Sequence, residues 1–262
     1  MQATIDISWI DLSLFMLLTL IPLTIGRHFQ LAITKEVVIA VVRMTLQLLL
    51  VGLYLQFLFN LNNSWLNLIW LSAMIMIGAS AVLSGAKLPP KTLFAPMMVS
   101  LCVALLPILA ILLLWLLKPT PLYSAQYLIP LAGMLLGNSL NGNIVALQRL
   151  FTSLEDNRSE YEAALALGAR PKQASQPFVQ SAMKQSFAPI LASMTTTGLV
   201  TLPGMMTGQI LGGSDPMVAI KYQLIILLAI FVVLSVCVTI TLQLSVRTAL
   251  NPSGKLLIHR NN

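Results

Sequence analysis

Charged side chains are scarce in this chain of 262 residues. Asp, Glu, Lys and Arg make up 9% of the sequence, whereas hydrophobic residues make up 57%. A soluble domain carries about 25% charged residues, because its surface must face water. The composition therefore excludes an ordinary soluble domain and predicts an all-α, polytopic membrane protein.

Motifs for catalysis are also missing. The sequence has no GxxxxGK[ST] phosphate-binding loop, no HExxH zinc motif and no nucleophile elbow. Its two cysteines, Cys102 and Cys237, lie in apolar stretches without the spacing of a disulfide framework or a zinc finger. No Glu or His lies deep in an apolar stretch, which argues against a proton-coupled transporter. We expect that this chain is not an enzyme and binds no cofactor or resident metal.

Long apolar stretches predict seven transmembrane helices. A helix needs roughly 20 apolar residues to cross a hydrocarbon core of about 30 Å. Such stretches lie near residues 8–26, 37–59, 65–83, 94–117, 126–148, 187–212 and 222–246. We therefore expect residues 1–262 to form a single transmembrane domain.

The basic residues predict an orientation for these helices. With the N-terminus outside, the internal loops and the C-terminal segment hold every Lys and Arg except Lys118, Lys221 and Arg43. Positively charged loops stay in the cytoplasm, so an N-out, C-in topology is expected. The net charge of +7 then reflects topology, with anionic lipid headgroups as neighbours, and no nucleic-acid partner is expected.

The longest internal loop, 149–186 between spans five and six, predicts two short helices of its own. Ser159 and Glu162 have the spacing of a capping box. Gly168 suits the left-handed conformation that ends a helix, and Pro171 suits the first turn of the next helix. A first helix of this length is not stable alone in water, so something must hold it.

One face of this first helix is expected to carry Tyr161, Leu165 and Gly168, which lie four and three positions apart. Two interpretations stay open on physical grounds. The helix docks in a groove of a soluble partner, or it lies on the lipid headgroups.

Several stretches resemble known transporter subunits. "EAALALG", residues 162–168, is similar to the EAA-then-glycine signature of bacterial ABC importer permeases, although the Leu-Pro pair that follows in that signature is not kept. The stretches "LALGARPKQAS", "TGLVTLPGMMTGQILGGSDPMVAIKYQ" and "VVRMTLQLLLVGLYL" closely resemble the FetB-like permeases. These are bacterial iron-export ABC membrane subunits and their plant aluminium-tolerance relatives, and the likeness covers essentially the whole chain.

The resemblance implies a multi-pass permease in a bacterial inner (plasma) membrane, which exports iron or another metal ion. The internal helix becomes a coupling helix for a separate ABC ATPase chain, and ATP and Mg²⁺ bind that partner. Because an ABC ATPase works as a closed dimer with two equivalent grooves, a permease homodimer is expected. The residues implied in coupling are Tyr161, Glu162, Ala163, Ala164, Leu165 and Gly168.

Residues that weaken a helix are concentrated in the sixth predicted span. Pro203 removes a backbone donor, and Gly198, Gly204 and Gly208 lower helix propensity further. In hydrocarbon such a break needs a partner or a water-filled cavity, so a cavity-lining helix is one interpretation. Close packing of Gly204 and Gly208 against another helix is the other.

Polar and sulfur-bearing side chains at membrane depth are candidates for a path across the membrane. Thioethers bind soft metals but also fill gaps in a core. Amides on one helical face either line a polar path or tie helices together. Arg43 either extends to the interface or lines a cavity with Gln47. The candidate path residues are Arg43, Gln47, Met134, Asn138, Asn141, Pro203, Gly204, Met205 and Met206.

Two other functions stay open at this point. One is an ATP-independent channel or facilitator. The other is an ABC permease for an organic solute such as a nucleotide sugar.

Overall fold

A computed structural model describes residues 7–61, 63–249 and 251. Within these residues the predicted all-α fold is confirmed, since the only β pairing is an isolated bridge between Thr197 and Thr201. A 3-10 turn (Leu17–Thr19) joins α1 to α2, and a π-helical segment (Leu112–Leu117) continues α5. The α-helices are α1 (Trp9–Met16), α2 (Leu20–His28), α3 (Thr34–Leu61), α4 (Ser64–Gly85), α5 (Pro90–Ile111), α6 (Ala125–Asp156), α7 (Arg158–Ala166), α8 (Pro171–Ala174), α9 (Gln176–Thr196), α10 (Gly204–Leu211) and α11 (Pro216–Ala249).

Six helical segments among the described residues are long and apolar enough to cross a membrane. Each overlaps one of the predicted spans. The segments are Trp9–His28, Thr34–Phe59, Ser64–Gly85, Pro90–Leu117, Ala125–Asp156 and Pro216–Ala249.

The remaining predicted span, 187–212, is not a continuous helix. Its first part is the end of α9, its last part is α10, and residues 197–203 between them are irregular. Gly198 has a left-handed φ of +88°, and Pro203 is extended with ψ 143°. The prediction of one continuous helix was wrong, because Gly198 and Pro203 interrupt the helix completely. α9 has 21 residues and is about 31 Å long at 1.5 Å per residue. Its composition is too polar for it to count among the six apolar segments.

The buried core lies between α4, α5, α6, α9 and α11. On α5, Met97, Leu101 and Leu105 recur every fourth residue, and all three are buried. α6 and α11 approach so closely that a Cβ atom on Gly142 would collide with Leu234. These helices therefore enclose the main buried core of the described chain.

The first three helices lie at the periphery. No residue of α1 is buried, and no residue in the most apolar stretch of α3 is buried either. α3 reaches the bundle near its C-terminal end, where Leu58 packs with Ala125 and Ile129 in a small separate core. Most of α3 is therefore left without a partner in the single chain.

Candidate functional site

The predicted loop 149–186 is almost entirely helical. α6 extends through its first part to Asp156, α7 and α8 follow, and α9 already begins at Gln176. Gly168 adopts the predicted left-handed conformation after α7, with φ +91°. Pro171 lies in the first turn of α8 as predicted, and the Arg170 N–H donates to Gln173 Oε1 at 3.0 Å.

The predicted capping box at Ser159 was wrong. α7 begins at Arg158, with Asn157 as its N-terminal cap, so Ser159 already lies inside the helix. Glu162 instead forms an exposed ion pair with Arg158, at 2.7 Å between Nε and Oε1. Because Asn157 alone separates α6 from α7, the helix starts earlier than the sequence pattern indicates.

Tyr161 faces the bundle. Its side chain is buried, and its ring is edge-on to the ring of Phe178 on α9, with 6.5 Å between centroids. Burial raises the pKa of Tyr161 above its ordinary value. Ala164 and Leu165 are half-buried and pack against the same core. The face that carries Tyr161 and Leu165 therefore packs against the bundle and holds α7 in place.

The opposite face of α7 is exposed within the described part of the chain. Glu162, Ala163, Ala166 and Leu167 are exposed on it, and we call these four residues the outer face of α7. Leu167 is 89% exposed. A Cβ atom on the adjacent Gly168 would meet no atom within 4 Å. Sequence reasoning missed Ala166 and Leu167, although their spacing of three and four from Ala163 was a usable signal.

A second feature is a cavity of about 490 Å³ between α6, α9, α11 and the irregular segment 197–203. We call it the α6–α11 cavity. It brings together five of the candidate path residues: Met134, Asn138, Pro203, Gly204 and Met205. The polar residues that sequence reasoning missed are Ser193, Thr196, Thr197, Thr201 and Gln223.

None of the described residues that line the α6–α11 cavity is charged. Asn138 Nδ2 donates to the Met134 carbonyl at 2.9 Å, and the Thr197 hydroxyl donates to the Ser193 carbonyl at 2.7 Å. The side-chain oxygens of Asn138 and Thr197 therefore still have lone pairs that can accept a hydrogen bond or bind a cation. Gln223 is 8% exposed, and its Oε1 accepts no hydrogen bond from any described residue. The cavity is thus rich in neutral acceptors.

The remaining candidate path residues lie elsewhere. Asn141 and Met206 do not line the cavity. Arg43 and Gln47 lie one turn apart on α3, in a separate groove of about 460 Å³ on the outer surface of that helix. No hydrogen bond joins these two described side chains. Asn143, two residues after Asn141 on α6, links α6 to α11, because its Nδ2 donates to Cys237 Sγ at 3.2 Å.

Close packing does not explain Gly204 and Gly208 within this chain. A Cβ atom on either residue would meet no atom within 4 Å. Among the described residues, no cluster of three or more His, Cys, Asp and Glu side chains is arranged to hold a metal ion.

A basic cavity of about 790 Å³ lies near the junction of α8 and α9. Arg170 and Lys172 line it from one side, and Arg247 lines it from the end of α11. The cavity therefore brings Arg247 to the same end of the bundle as Arg170 and Lys172.

Comparison with known proteins places the chain among membrane proteins. The family described as "Uncharacterised protein family (UPF0014)" matches residues 9–250. The chain is 37% identical to UPF0014 membrane protein YjkA of Bacillus subtilis, over 83% of this chain and 86% of that protein. It is 33% identical to Protein ALUMINUM SENSITIVE 3 of Arabidopsis thaliana, over 81% and 76%. It is 28% identical to the "Probable iron export permease protein FetB" of Escherichia coli, over 95% and 94%. No solved structure matches significantly. The resemblance to FetB-like permeases is confirmed, and the chain is a multi-pass membrane protein.

Proposed function

Because this chain belongs to the UPF0014 family of membrane proteins, one relative of which is named an iron export permease, we propose that it is the permease subunit of an ABC transporter. ATP and Mg²⁺ bind a separate ATPase chain, and this chain supplies the membrane path. The observation that carries the proposal is the outer face of α7.

The outer face of α7 has the properties of a docking surface. α7 is too short to be stable alone, and Tyr161 anchors it to the bundle from the opposite side. Ala163 and Ala166 leave a flat surface, and Leu167 projects from it with 89% of its surface exposed. An apolar side chain so exposed at a helix end suits a hydrophobic groove on a partner.

A single helix connects this surface to the α6–α11 cavity. Phe178, which contacts Tyr161, lies in the first turn of α9, and Thr196 at the other end of α9 lines the cavity. The two residues are about 27 Å apart at 1.5 Å per residue. Closure of the ATPase on ATP would shift α7, and α9 would carry the shift to the cavity. Pro189 within α9 is a point where the helix can bend.

The N-out, C-in topology is part of the proposal. It requires α9 to cross the membrane as a seventh span, shielded by α6 and α11, against which it packs. The exposed side of α9 carries Gln180, Ser181 and Lys184, which suits a water-filled path better than lipid. The basic cavity of Arg170, Lys172 and Arg247 then lies on the cytoplasmic side of a bacterial plasma membrane, in agreement with the positive-inside rule.

A second copy of the chain completes the proposed transporter. α3 has almost no partner within one chain, and it exposes Arg43 and Gln47 at membrane depth. Polar groups that face lipid there are unfavourable, so a protein neighbour is expected. A two-fold homodimer would cover α3 and present two copies of α7 to the two grooves of an ATPase dimer.

The proposed cargo is iron or another metal ion, and the proposed direction is outward. Support for both comes from the name of the Escherichia coli relative. The neutral acceptor oxygens of the α6–α11 cavity are compatible with a cation.

Substitution of Leu167 tests the proposal. We expect Leu167→Asp to abolish co-purification with the ATPase and the permease-dependent part of ATP hydrolysis, because a carboxylate is costly to bury in an apolar groove. Leu122→Asp is the matched control, since Leu122 is an exposed leucine, 49% accessible, in the turn before α6. Full ATPase binding by Leu167→Asp would overturn the proposal.

A further inference from the structure

We infer, on the basis of the proposed transport function, that the α6–α11 cavity binds a partly dehydrated divalent transition-metal cation through neutral oxygen and thioether donors, with Gln223 as the residue that decides affinity. The observations are the missing partner of Gln223 Oε1, the orientation of the other polar groups and the position of two methionines.

Gln223 is the polar group that lacks a partner. It is more than nine-tenths buried and lines the cavity, yet Oε1 accepts no hydrogen bond from a described residue. A buried amide oxygen in this state is unfavourable unless a donor or a cation reaches it. Gln209 Oε1 is also unpartnered, but Gln209 does not line this cavity.

The other polar groups present oxygen lone pairs. Thr196 and Thr197 donate their hydroxyl protons to backbone carbonyls of α9, at 3.0 Å to Ala192 and 2.7 Å to Ser193. Asn138 uses one of its two amide protons within α6 in the same way. These three side chains keep oxygen lone pairs which, together with the unpartnered Oε1 of Gln223, can coordinate a positive ligand.

Two sulfur atoms narrow the class of cation. Met134 and Met205 line the cavity from α6 and α10. Thioethers favour softer cations, whereas Mg²⁺ is reluctant to lose its water. The described lining includes neither a carboxylate nor an imidazole, so the cation is held weakly enough to leave again, as transport requires. The expected order of affinity is Fe²⁺ over Mn²⁺ over Mg²⁺.

The test measures binding without any ATPase, so its outcome is independent of the coupling proposal. The full chain in lipid nanodiscs is dialysed anaerobically against Fe²⁺, Mn²⁺ or Mg²⁺, and bound metal is counted. We expect Gln223→Leu to weaken Fe²⁺ binding about tenfold or more. Gln209→Leu is the matched control and should bind as the unaltered chain does. Gln223→Glu should tighten binding, which a purely structural role for Gln223 does not predict.

Methionine variants give a second, independent readout. Met205→Leu keeps the volume and removes the sulfur, so it should reduce the preference for Fe²⁺ over Mg²⁺. Met206→Leu, one residue further along and outside the cavity, should leave that preference unchanged. Asn138→Leu replaces Gln223→Leu if the latter fails to fold.

Three results would overturn the inference. The unaltered chain binds no Fe²⁺ at millimolar concentration, or Gln223→Leu and Asn138→Leu both bind it normally, or spermidine occupies the cavity in preference to Fe²⁺. The last result would assign the cavity to organic cations. If the chain binds no Fe²⁺ but still docks the ATPase, the inference about the cavity fails and the proposed docking on α7 is supported. If it binds Fe²⁺ but does not dock the ATPase, the proposed docking fails and the inference about the cavity is supported.

Discussion

The ring of Tyr161 on α7 meets the ring of Phe178 on α9 edge-on, with 6.5 Å between centroids and 65° between the ring planes. The short helix and the helix that leads to the α6–α11 cavity are thus joined by one buried aromatic contact. Burial raises the pKa of Tyr161 from its ordinary 10.0, so the neutral phenol is the form that packs. Its stabilising effect is present below pH 10 and is lost as the pH rises through the raised pKa.

Loss of this aromatic contact should uncouple ATP hydrolysis from transport. Such a ring pair contributes about 0.5–1.5 kcal/mol beyond its buried area, and about 1.4 kcal/mol is tenfold in a population. Tyr161→Ala should therefore lower the amount of cargo moved per ATP by up to about tenfold, while Tyr161→Phe keeps the ring and most of the coupling. Tyr54→Ala is the control, because the ring of Tyr54 packs against the ring of Trp70 away from α7, with 4.2 Å between centroids. Equal loss in both alanine variants would contradict a specific role for Tyr161.

A bulky residue at Gly168 should block ATPase docking without unfolding the chain. The space around Gly168 is open, so a tryptophan side chain would project toward the partner. The left-handed backbone costs roughly 1–2 kcal/mol for a residue with a Cβ atom. Gly213→Trp reproduces that strain at φ +88° after α10. We expect both variants to reach the membrane, as judged by immunoblotting of membrane fractions, and only Gly168→Trp to lose the ATPase. ATPase binding by Gly168→Trp would count against docking at this end of α7.

Stability of the bundle should depend on the close approach of α6 to α11. Gly142→Ala drives a methyl group into Leu234, and overpacking of this kind costs about 1–3 kcal/mol. Gly137→Ala in the same helix meets open space and should gain up to about 1 kcal/mol from helix propensity. Thermal unfolding midpoints in detergent should therefore move in opposite directions. If the second substitution Leu234→Ala raises the midpoint of the Gly142→Ala chain, the contact between residues 142 and 234 is established. If Gly142→Ala alone leaves the midpoint unchanged, the contact is refuted.

Cross-linking should locate the second copy of the chain on α3. Met44 lies in the groove with Arg43 and is 50% exposed, whereas Met76 on α4 is 52% exposed. In a background without Cys102 and Cys237, a short bis-maleimide should link two chains that carry Met44→Cys and leave Met76→Cys monomeric. The reverse pattern would place the interface on α4.

Much of the fold could be predicted because length and hydrophobicity decide which segments cross a membrane. The local signals at Gly168 and Pro171 were also confirmed, whereas the capping box predicted at Ser159 was not. The direction in which a side chain faces was not predictable. Tyr161 and Leu165 share a face in the sequence pattern, but only packing against Phe178 shows that this face is turned inward.

Gln223 illustrates why part of the cavity lining was missed. It follows Lys221 and Tyr222, so the pattern indicated the edge of a span and not its interior. α11 in fact begins at Pro216, which carries Gln223 two turns into the helix and beside Met134 and Asn138 at the cavity. Such long-range proximity comes from the packing of α6 against α11, which the sequence did not reveal.

The most direct test of the central claim is uptake of ⁵⁵Fe²⁺ into inverted membrane vesicles that contain the chain and its ATPase. Unaltered chain and Leu167→Asp are compared with and without ATP, and Mn²⁺ and Zn²⁺ serve as control cargo. The account predicts ATP-dependent iron accumulation by the unaltered chain and none by Leu167→Asp. Iron movement of equal size without ATP or without the ATPase would contradict it and establish a channel or facilitator.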